Sequence, residues 1–177
     1  DIGLKKKKRK IDFSFIESIV SEAFMPVSYG GGIESLEEIN NLIKIGCEKI
    51  SLNFKSYDFL FMENAVRTFG SSTIIVSIDV VRKNDKIFCY NYLENKTNQR
   101  IEDRIEGLNK YDIGEYLINF VEKDGMMSGF DQDAIKQILK LTNSQITFCG
   151  GASTYKNIYD TFLCGAKSLA AGSLFIY

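Results

Sequence analysis

Two short glycine runs in this chain each lie between an apolar stretch and a helix-forming stretch. They occupy residues 30–32 and residues 150–151. Glycine tolerates positive φ and lets backbone amides approach a ligand closely. A glycine turn that leads into a helix therefore suits an anion such as phosphate. Ordinary turns between a strand and a helix use the same residues, so each run alone leaves both interpretations open.

The two stretches match each other at a fixed offset of 119 residues. At this offset Ser35 corresponds to Thr154 and Gly46 to Gly165, so each stretch has a strand, glycines, a capped helix and a closing glycine. One repeat at this spacing predicts a duplicated half-barrel rather than a short repeat array. Two equivalent anion sites would suit a ligand that carries a phosphate at each end.

The elements around these glycines predict an α/β fold. Apolar strands are expected at residues 48–52, 73–78, 115–121 and 168–171, and helices at 12–24, 56–68, 101–110 and 132–141. A small hairpin insertion is expected at 82–98. We expect Ser35 and Glu38 to form a capping box, and Ser56 and Asp131 to cap the helices at 56–68 and 132–141. Near-continuous apolar strands separated by helices are typical of a parallel sheet covered on both faces. We predict one (βα)8 barrel domain of two half-barrels over residues 1–177, lacking its first strand or strands and its last helix. A doubly wound open sheet is the structural alternative.

Composition excludes several classes of function. The net charge of −1 gives no global electrostatic argument for nucleic-acid binding, and no apolar run approaches the ~20 residues of a membrane span. Four cysteines without a CxxC spacing indicate free thiols and a cytoplasmic protein. Histidine is absent, so acid–base chemistry falls to carboxylates, Lys, Tyr or Cys. We expect neither a metal nor a cofactor. The KKKKRK run at 5–10 is expected to be a solvated loop, with phosphate steering or partner docking as the alternative.

Seven motifs occur in order along the chain: DI at Asp1, YGGGI at Tyr29, EKISLN at Glu48, SIDV at Ser77, KDGMMSGFD at Lys123, CGGAS at Cys149 and LAAGSLF at Leu169. With these motifs the whole chain resembles the cyclase subunit of imidazole glycerol phosphate synthase, a (βα)8 barrel of two half-barrels. FMPVSYGGGI and AAGSLFIY look more like a paralogous branch linked to bacterial surface-glycan and flagellar-sugar biosynthesis.

The resemblance implies a lyase of histidine biosynthesis. In the family, a separate glutaminase subunit releases ammonia, which enters the bottom of the barrel and travels up its axis. At the top it attacks the ketone of a bisphosphorylated ribulosyl-aminoimidazole compound, and cleavage and ring closure follow. The resemblance thus implies a heterodimer with a glutamine amidotransferase subunit and a bisphosphorylated small-molecule substrate.

The resemblance also assigns roles to residues of this chain. Asp79 matches one catalytic aspartate, and its place after an apolar strand fits a barrel mouth, although a helix cap or a surface acid is the alternative. Asp1 matches a further active-site aspartate. The matches to the two phosphate sites are Gly32, Asn53 and Phe54 for the first, and Asp124, Gly125, Gly151, Gly172 and Ser173 for the second. Phe54 departs from the family, which usually has a hydroxyl there, and Asp124 would instead belong to a plain Asp-Gly turn if it has no role. Lys49 and Glu115 match two members of the ammonia gate, with a structural ion pair as the alternative.

Three functions remain open at this point. The first is the ammonia-dependent cyclase of histidine biosynthesis, and the second is the paralogous ammonia-using subunit of nucleotide-sugar or surface-glycan biosynthesis. A non-catalytic ammonia conduit is the third. A phosphate-binding isomerase on a similar half-barrel fits Lys49, Glu115 and the KDGMMSGFD motif less well.

Overall fold

A computed structural model describes residues 10–176 of the chain. The chain divides into two compact units, Asp1–Val76 and Ser77–Tyr177, called here the first and the second unit. Asp1, most of the KKKKRK run and the DI motif lie outside the described residues. The prediction of one barrel domain over the whole chain stays a prediction.

Over residues 10–76, the described part of the first unit has three helices and two strands, followed by the start of a third strand. Its elements are α1 Phe13–Glu22, β1 Ser28–Gly30, α2 Leu36–Lys44, β2 Lys49–Leu52, a 3-10 turn Phe54–Tyr57, α3 Phe59–Phe69 and the opening of β3 Ile74–Lys83. β1 pairs with β2 and β2 with the start of β3, both in parallel. The interior is apolar, with Ile39, Leu42, Ile50 and Met62 fully buried.

The second unit, described through residue 176, contains the rest of β3 and five further strands. Its other elements are β4 Lys86–Asn91, β5 Lys96–Arg100, α4 Ile101–Leu108, a 3-10 turn Asn109–Tyr111, β6 Glu115–Phe120, α5 Gln132–Ile138, β7 Gln145–Cys149, α6 Tyr155–Leu163, β8 Ser168–Leu169 and a 3-10 turn Ser173–Phe175. β6 and β7, and β7 and β8, pair in parallel. β4 and β5 form an antiparallel hairpin on β3, which confirms the predicted insertion.

The parallel strands follow one another in chain order, β1-β2-β3-β6-β7-β8, with the hairpin to one side. A doubly wound sheet reverses its strand order partway, and this order does not reverse. Sequential parallel strands with helices between them are the arrangement of a (βα)8 barrel. The fold is therefore α/β, of the partial (βα)8 type, as the sequence predicts.

The N-terminal caps of the helices show which sequence signals were sufficient to predict where a helix begins. Ser35 and Glu38 form the expected capping box of α2, and Thr154 and Asp131 cap α6 and α5. The prediction that Ser56 caps α3 was wrong. Asp58 accepts the Phe61 N–H at 3.1 Å and begins the helix, because Ser56 lies in the preceding 3-10 turn and donates its hydroxyl to the Asn53 carbonyl.

Within residues 10–176, no helix is both long and apolar enough to cross a membrane. The cytoplasmic location stays a prediction.

Candidate active site

Asp79 lies within β3, and its carboxylate is held by the neighbouring strand. The Asn119 side chain near the end of β6 donates from Nδ2 to Oδ1 of Asp79 at 3.0 Å. A backbone bond from Val121 N–H to the Val80 carbonyl, 3.1 Å, aligns the two strands beside this pair. The predicted strand end at Asp79 was wrong, because pairing with β4 extends β3 to Lys83. Asp79 is therefore a half-buried strand residue and not a helix cap.

Asn119 also carries a buried polar atom that faces the second glycine run. Its Oδ1 is buried and accepts no hydrogen bond from the part of the chain that the structure describes. A Cβ on Gly150 would lie 3.1 Å from this oxygen and 2.5 Å from the Phe120 carbonyl oxygen. Gly150 also has φ +85°, so glycine is the residue that fits between β6 and the turn after β7. A buried acceptor without a partner in the protein requires a donor from a bound group or a water, which makes Asn119 Oδ1 a candidate ligand contact.

The five residues predicted for the second phosphate site line one cleft. This cleft lies after the carboxyl ends of β6, β7 and β8, and its predicted residues are Asp124, Gly125, Gly151, Gly172 and Ser173. Because the carboxyl ends of parallel strands meet at one edge of a sheet, the three loops converge there.

Close packing shapes the loop on one side of this cleft. The Gly129 N–H donates to the Gly151 carbonyl at 2.8 Å, and a Cβ on Gly151 would lie 2.7 Å from the Gly129 carbonyl oxygen. The Lys123 ammonium donates to that same Gly129 carbonyl at 3.0 Å. Met127 adopts φ +47° in this loop and lines the cleft. The loop over residues 123–129 is thus tied at both ends.

Cys149 lines the same cleft, and sequence reasoning did not select it. Burial raises the pKa of the Cys149 thiol, and the Asp124 carboxylate and, to a smaller extent, Asp79 raise it further. A thiol with a raised pKa stays protonated at neutral pH and is a poor nucleophile. Cys149 is therefore not a candidate nucleophile at neutral pH.

Tyr92, in the turn between β4 and β5, is a second residue that the sequence did not single out. Burial raises the pKa of its phenol, and the Asp79 carboxylate adds to that effect. The hairpin therefore brings a neutral hydroxyl into the electrostatic range of Asp79. The only feature of the sequence that could have selected Tyr92 as a site residue is its position in the predicted hairpin insertion.

An ion pair fixes the base of this hairpin. The Arg82 guanidinium donates to both oxygens of Asp131, at 2.8 and 3.1 Å. Asp131 also accepts the Ala134 N–H at 3.0 Å and thereby caps α5. One carboxylate thus connects the hairpin to the helix that follows the 123–129 loop.

The first predicted phosphate site lies in the first unit. Gly32 follows β1 and Asn53 follows β2, each two residues beyond the paired Gly30 and Ser51, so both lie at the same edge of the sheet. Gly32 has φ +72°, which suits glycine. Phe54 begins the 3-10 turn with 42% of its surface exposed, and offers a ring where the family usually has a hydroxyl.

The two predicted gate residues begin their strands, as expected. Lys49 is half-buried at the start of β2, in register with Ser28. Glu115 begins β6 and is 9% exposed, and its Oε1 accepts a hydrogen bond from the Thr147 hydroxyl at 2.8 Å. Among the described residues, no group of three or more Cys, Asp or Glu side chains is arranged to hold a metal ion.

Comparison with known proteins identifies a family match and several relatives of this chain. A family model described as histidine biosynthesis protein matches residues 1–177. A Vibrio vulnificus protein named "Putative imidazole glycerol phosphate synthase subunit hisF2" is 29% identical over 178 residues, which cover 99% of this chain and 65% of that protein. A Campylobacter jejuni protein of the same name is 34% identical over 170 residues, covering 96% of this chain and 68% of that protein.

A third relative carries the name of the synthase without a paralogue number. The Dictyoglomus turgidum "Imidazole glycerol phosphate synthase subunit HisF" is 28% identical over 178 residues, covering 99% of this chain and 71% of that protein. The chain therefore spans roughly two thirds of the length of these relatives, between 65% and 71%.

Proposed function

Because this chain belongs to the family of histidine biosynthesis proteins, we propose that its full-length protein is the cyclase subunit of an imidazole glycerol phosphate synthase-type glutamine amidotransferase. Its substrate would be a bisphosphorylated ribulosyl-aminoimidazole compound, and its ammonia would come from a glutaminase subunit in a heterodimer. The observation that carries this proposal is the Asp79 carboxylate, which Asn119 holds at 3.0 Å in the unit that also contains the glycine-lined cleft.

In the proposed reaction, ammonia attacks a ketone, and water leaves as an imine forms. Protons must be taken from the attacking nitrogen and given to the departing oxygen, before the bond to the aminoimidazole is cleaved and the ring closes. A positioned carboxylate is suited to such transfers. Asp79 would carry the proton, and the Asn119 amide would fix which of its oxygens faces the substrate. The Asp1 match is proposed as a second active-site carboxylate.

Phosphate binding is proposed for each unit. In the second unit, backbone amides of the glycine turns and the Ser173 hydroxyl would hold one phosphate, as nests of backbone N–H groups do. Asp124 cannot bind phosphate as a bare charge, so we propose that it orients the loop. In the first unit the corresponding residues are Gly32, Asn53 and the backbone amide of Phe54.

The charged residues at the strand starts are proposed to admit ammonia. Lys49 begins β2 and Glu115 begins β6, at the opposite end of their strands from the phosphate residues. A charged residue that begins an otherwise apolar barrel strand needs a reason, and control of ammonia entry supplies one. A glutaminase partner would then dock at these amino-terminal strand ends.

Turnover of the ribulosyl substrate tests this proposal. The full-length protein, supplied with ammonium chloride and no glutamine, should convert the substrate to imidazole glycerol phosphate and the aminoimidazole carboxamide ribotide. Ammonium salts bypass the glutaminase, so the test does not depend on the partner. A folded full-length protein that leaves the substrate unchanged would exclude the histidine-pathway role.

The sugar-modifying branch is the second candidate, and Phe54 is the observation that favours it. Its exposed ring replaces a hydroxyl that a phosphate could use, and an aromatic face suits the apolar side of a sugar or a base. The same turnover assay separates the two candidates, because this branch predicts no conversion of the ribulosyl substrate.

A further inference from the structure

Three side chains form a chain of hydrogen bonds across β6, β7 and β8. The Thr147 hydroxyl lies 2.8 Å from Oε1 of Glu115 and 2.9 Å from the Ser168 hydroxyl. Thr147 and Ser168 are paired in the parallel register of β7 and β8. Together we call these three residues the hydroxyl chain.

The hydroxyl chain lies on the face of the sheet that carries the candidate site. Side chains alternate along a strand, so Glu115 and Asn119 on β6 share one face, as do Thr147 and Cys149 on β7. Asn119 binds Asp79, and Cys149 lines the cleft at the carboxyl ends of the strands. The hydroxyl chain and the candidate site therefore share one face of the sheet. Cys149 lies two residues after Thr147 on β7, and Asn119 lies four residues after Glu115 on β6.

The direction of each hydrogen bond follows from the groups involved. A carboxylate can only accept, so Thr147 donates its hydrogen to Glu115. A hydroxyl has a single hydrogen, so the Ser168 hydroxyl must donate to Thr147. The order Ser168 to Thr147 to Glu115 gives the buried carboxylate a charge-assisted bond and fixes it toward β7.

We propose that Thr147 and Ser168 are positioning residues for Glu115, and that they set how efficiently ammonia from the glutaminase passes to the reaction. The inference rests on the proposed function, which takes Glu115 as part of the ammonia entrance. An oxygen that already accepts from Thr147 has less acceptor capacity left for ammonia, so the molecule is not retained there. Without the hydroxyl, the carboxylate would regain that capacity and turn away from β7.

The ratio of glutamine-dependent to ammonium-dependent turnover tests the proposal in the full-length protein with its glutaminase partner. Thr147→Val keeps the shape and removes the hydroxyl. We expect it to lower the ratio about tenfold, the size of one lost hydrogen bond to a charged group. Turnover with ammonium chloride should stay within about twofold, because the hydrogen bonds of the Thr147 hydroxyl go to Glu115 and Ser168, at the proposed ammonia entrance. Ser168→Ala should lower the ratio less, since it removes only the outer bond.

Two controls separate positioning from general damage. Thr147→Ser restores the hydroxyl and should restore the ratio. Thr97→Val removes a threonine hydroxyl that bonds Lys83 in the β3–β4–β5 hairpin, and should leave the ratio unchanged. An unchanged ratio in folded Thr147→Val, or an equal loss with both ammonia sources, would overturn the proposal.

A spectroscopic measurement keeps this test independent of the proposed function. The infrared carboxylate band of Glu115, assigned by difference from Glu115→Gln, should shift in Thr147→Val and return in Thr147→Ser. If the unmodified protein turned over neither ammonia source, the proposed function would fail, and this band alone would decide the positioning role. An unmoved band in Thr147→Val would then contradict it.

Discussion

The amide of Asn119 gives Asp79 a fixed orientation. It donates to one carboxylate oxygen at 3.0 Å and is itself held between β6 and the Gly150 turn. A carboxylate that transfers protons needs a defined direction, since misalignment reduces the rate even when the group is present. In the proposed reaction Asn119 would therefore act as a positioning residue for Asp79.

Asn119→Leu should lower kcat of the ammonium-dependent reaction about tenfold or more. Leucine has a similar volume but cannot donate, so Asp79 loses one hydrogen bond of about 1.5–3 kcal/mol. The measurement is steady-state turnover with ammonium chloride. Asn143→Leu, in the exposed connection before β7, is the matched control and should be neutral. Wild-type kcat in folded Asn119→Leu would contradict the positioning role.

Tyr116 on β6 is the residue whose titration should appear in the stability of the protein. It is 0% exposed, its hydroxyl finds no hydrogen-bond partner among residues 10–176, and burial raises its pKa to about 12, partly offset by Arg104. The unfolded chain deprotonates near pH 10 while the folded chain keeps its proton. The contribution of Tyr116 to the free energy of unfolding is thus fully present below pH 10 and is lost as the pH rises toward 12.

Tyr116→Phe should change both parts of this profile. It removes an unsatisfied buried hydroxyl, so the free energy of unfolding at pH 7 should rise by about 1 kcal/mol. Between pH 10 and pH 12, the free energy of unfolding of the wild type should fall by roughly 2–3 kcal/mol, which corresponds to a shift of two pKa units. Tyr116→Phe should not show this fall. Urea titrations across this range measure both quantities. A profile in Tyr116→Phe that falls as steeply as the wild type would show that another group causes the loss.

At the scale of elements, most structural features that depend on residues close together in sequence were predicted correctly. The capping box of α2 and the caps of α5 and α6 were predicted correctly, because each consists of a side chain and an amide three residues away. β3 was predicted four residues too short. Its extension depends on β4, and no residue before Lys83 indicates that pairing.

The glycine turn after β7 is predicted to be the least tolerant element of the second unit. Gly150→Ala would place a Cβ 2.5 Å from the Phe120 carbonyl oxygen at φ +85°. We expect a loss of at least about 1–3 kcal/mol, because the opposing atom is backbone and the conformation is strained for alanine. Urea denaturation measures the difference.

Gly107 in α4 provides the matched control for that substitution. A Cβ there meets no atom within 4 Å. Gly107→Ala should therefore stabilise the protein by about 0.5–1 kcal/mol, as alanine does within a helix. Equal effects of the two substitutions would contradict the packing account of the Gly150 turn.

At the scale of the whole molecule, the resemblance to the cyclase family was predicted from motifs. It is confirmed by the family match over residues 1–177 together with the relatives named as synthase subunits. The alternation of apolar strands and helices predicted a parallel sheet, and the 119-residue offset favoured a barrel over a doubly wound sheet; the observed strand order agrees with the barrel. The contacts that build the site did not follow, since Asn119 and Asp79 are 40 positions apart and Arg82 and Asp131 are 49 apart. Such pairs are set by tertiary packing, and one sequence carries no local signal for them. The functional assignment of Asp79 rested on its motif and its place in the most apolar strand.

The most direct test of the central claim is ammonium-dependent turnover by full-length Asp79→Asn. Asparagine keeps the size of the side chain but cannot carry the proton, so the rate should fall at least about a hundredfold. Asp85→Asn is the matched control, because Asp85 is 98% exposed in the turn of the same hairpin and should be neutral. A loss confined to Asp79→Asn is the result we predict. Equal turnover in Asp79→Asn and the wild type would contradict the account.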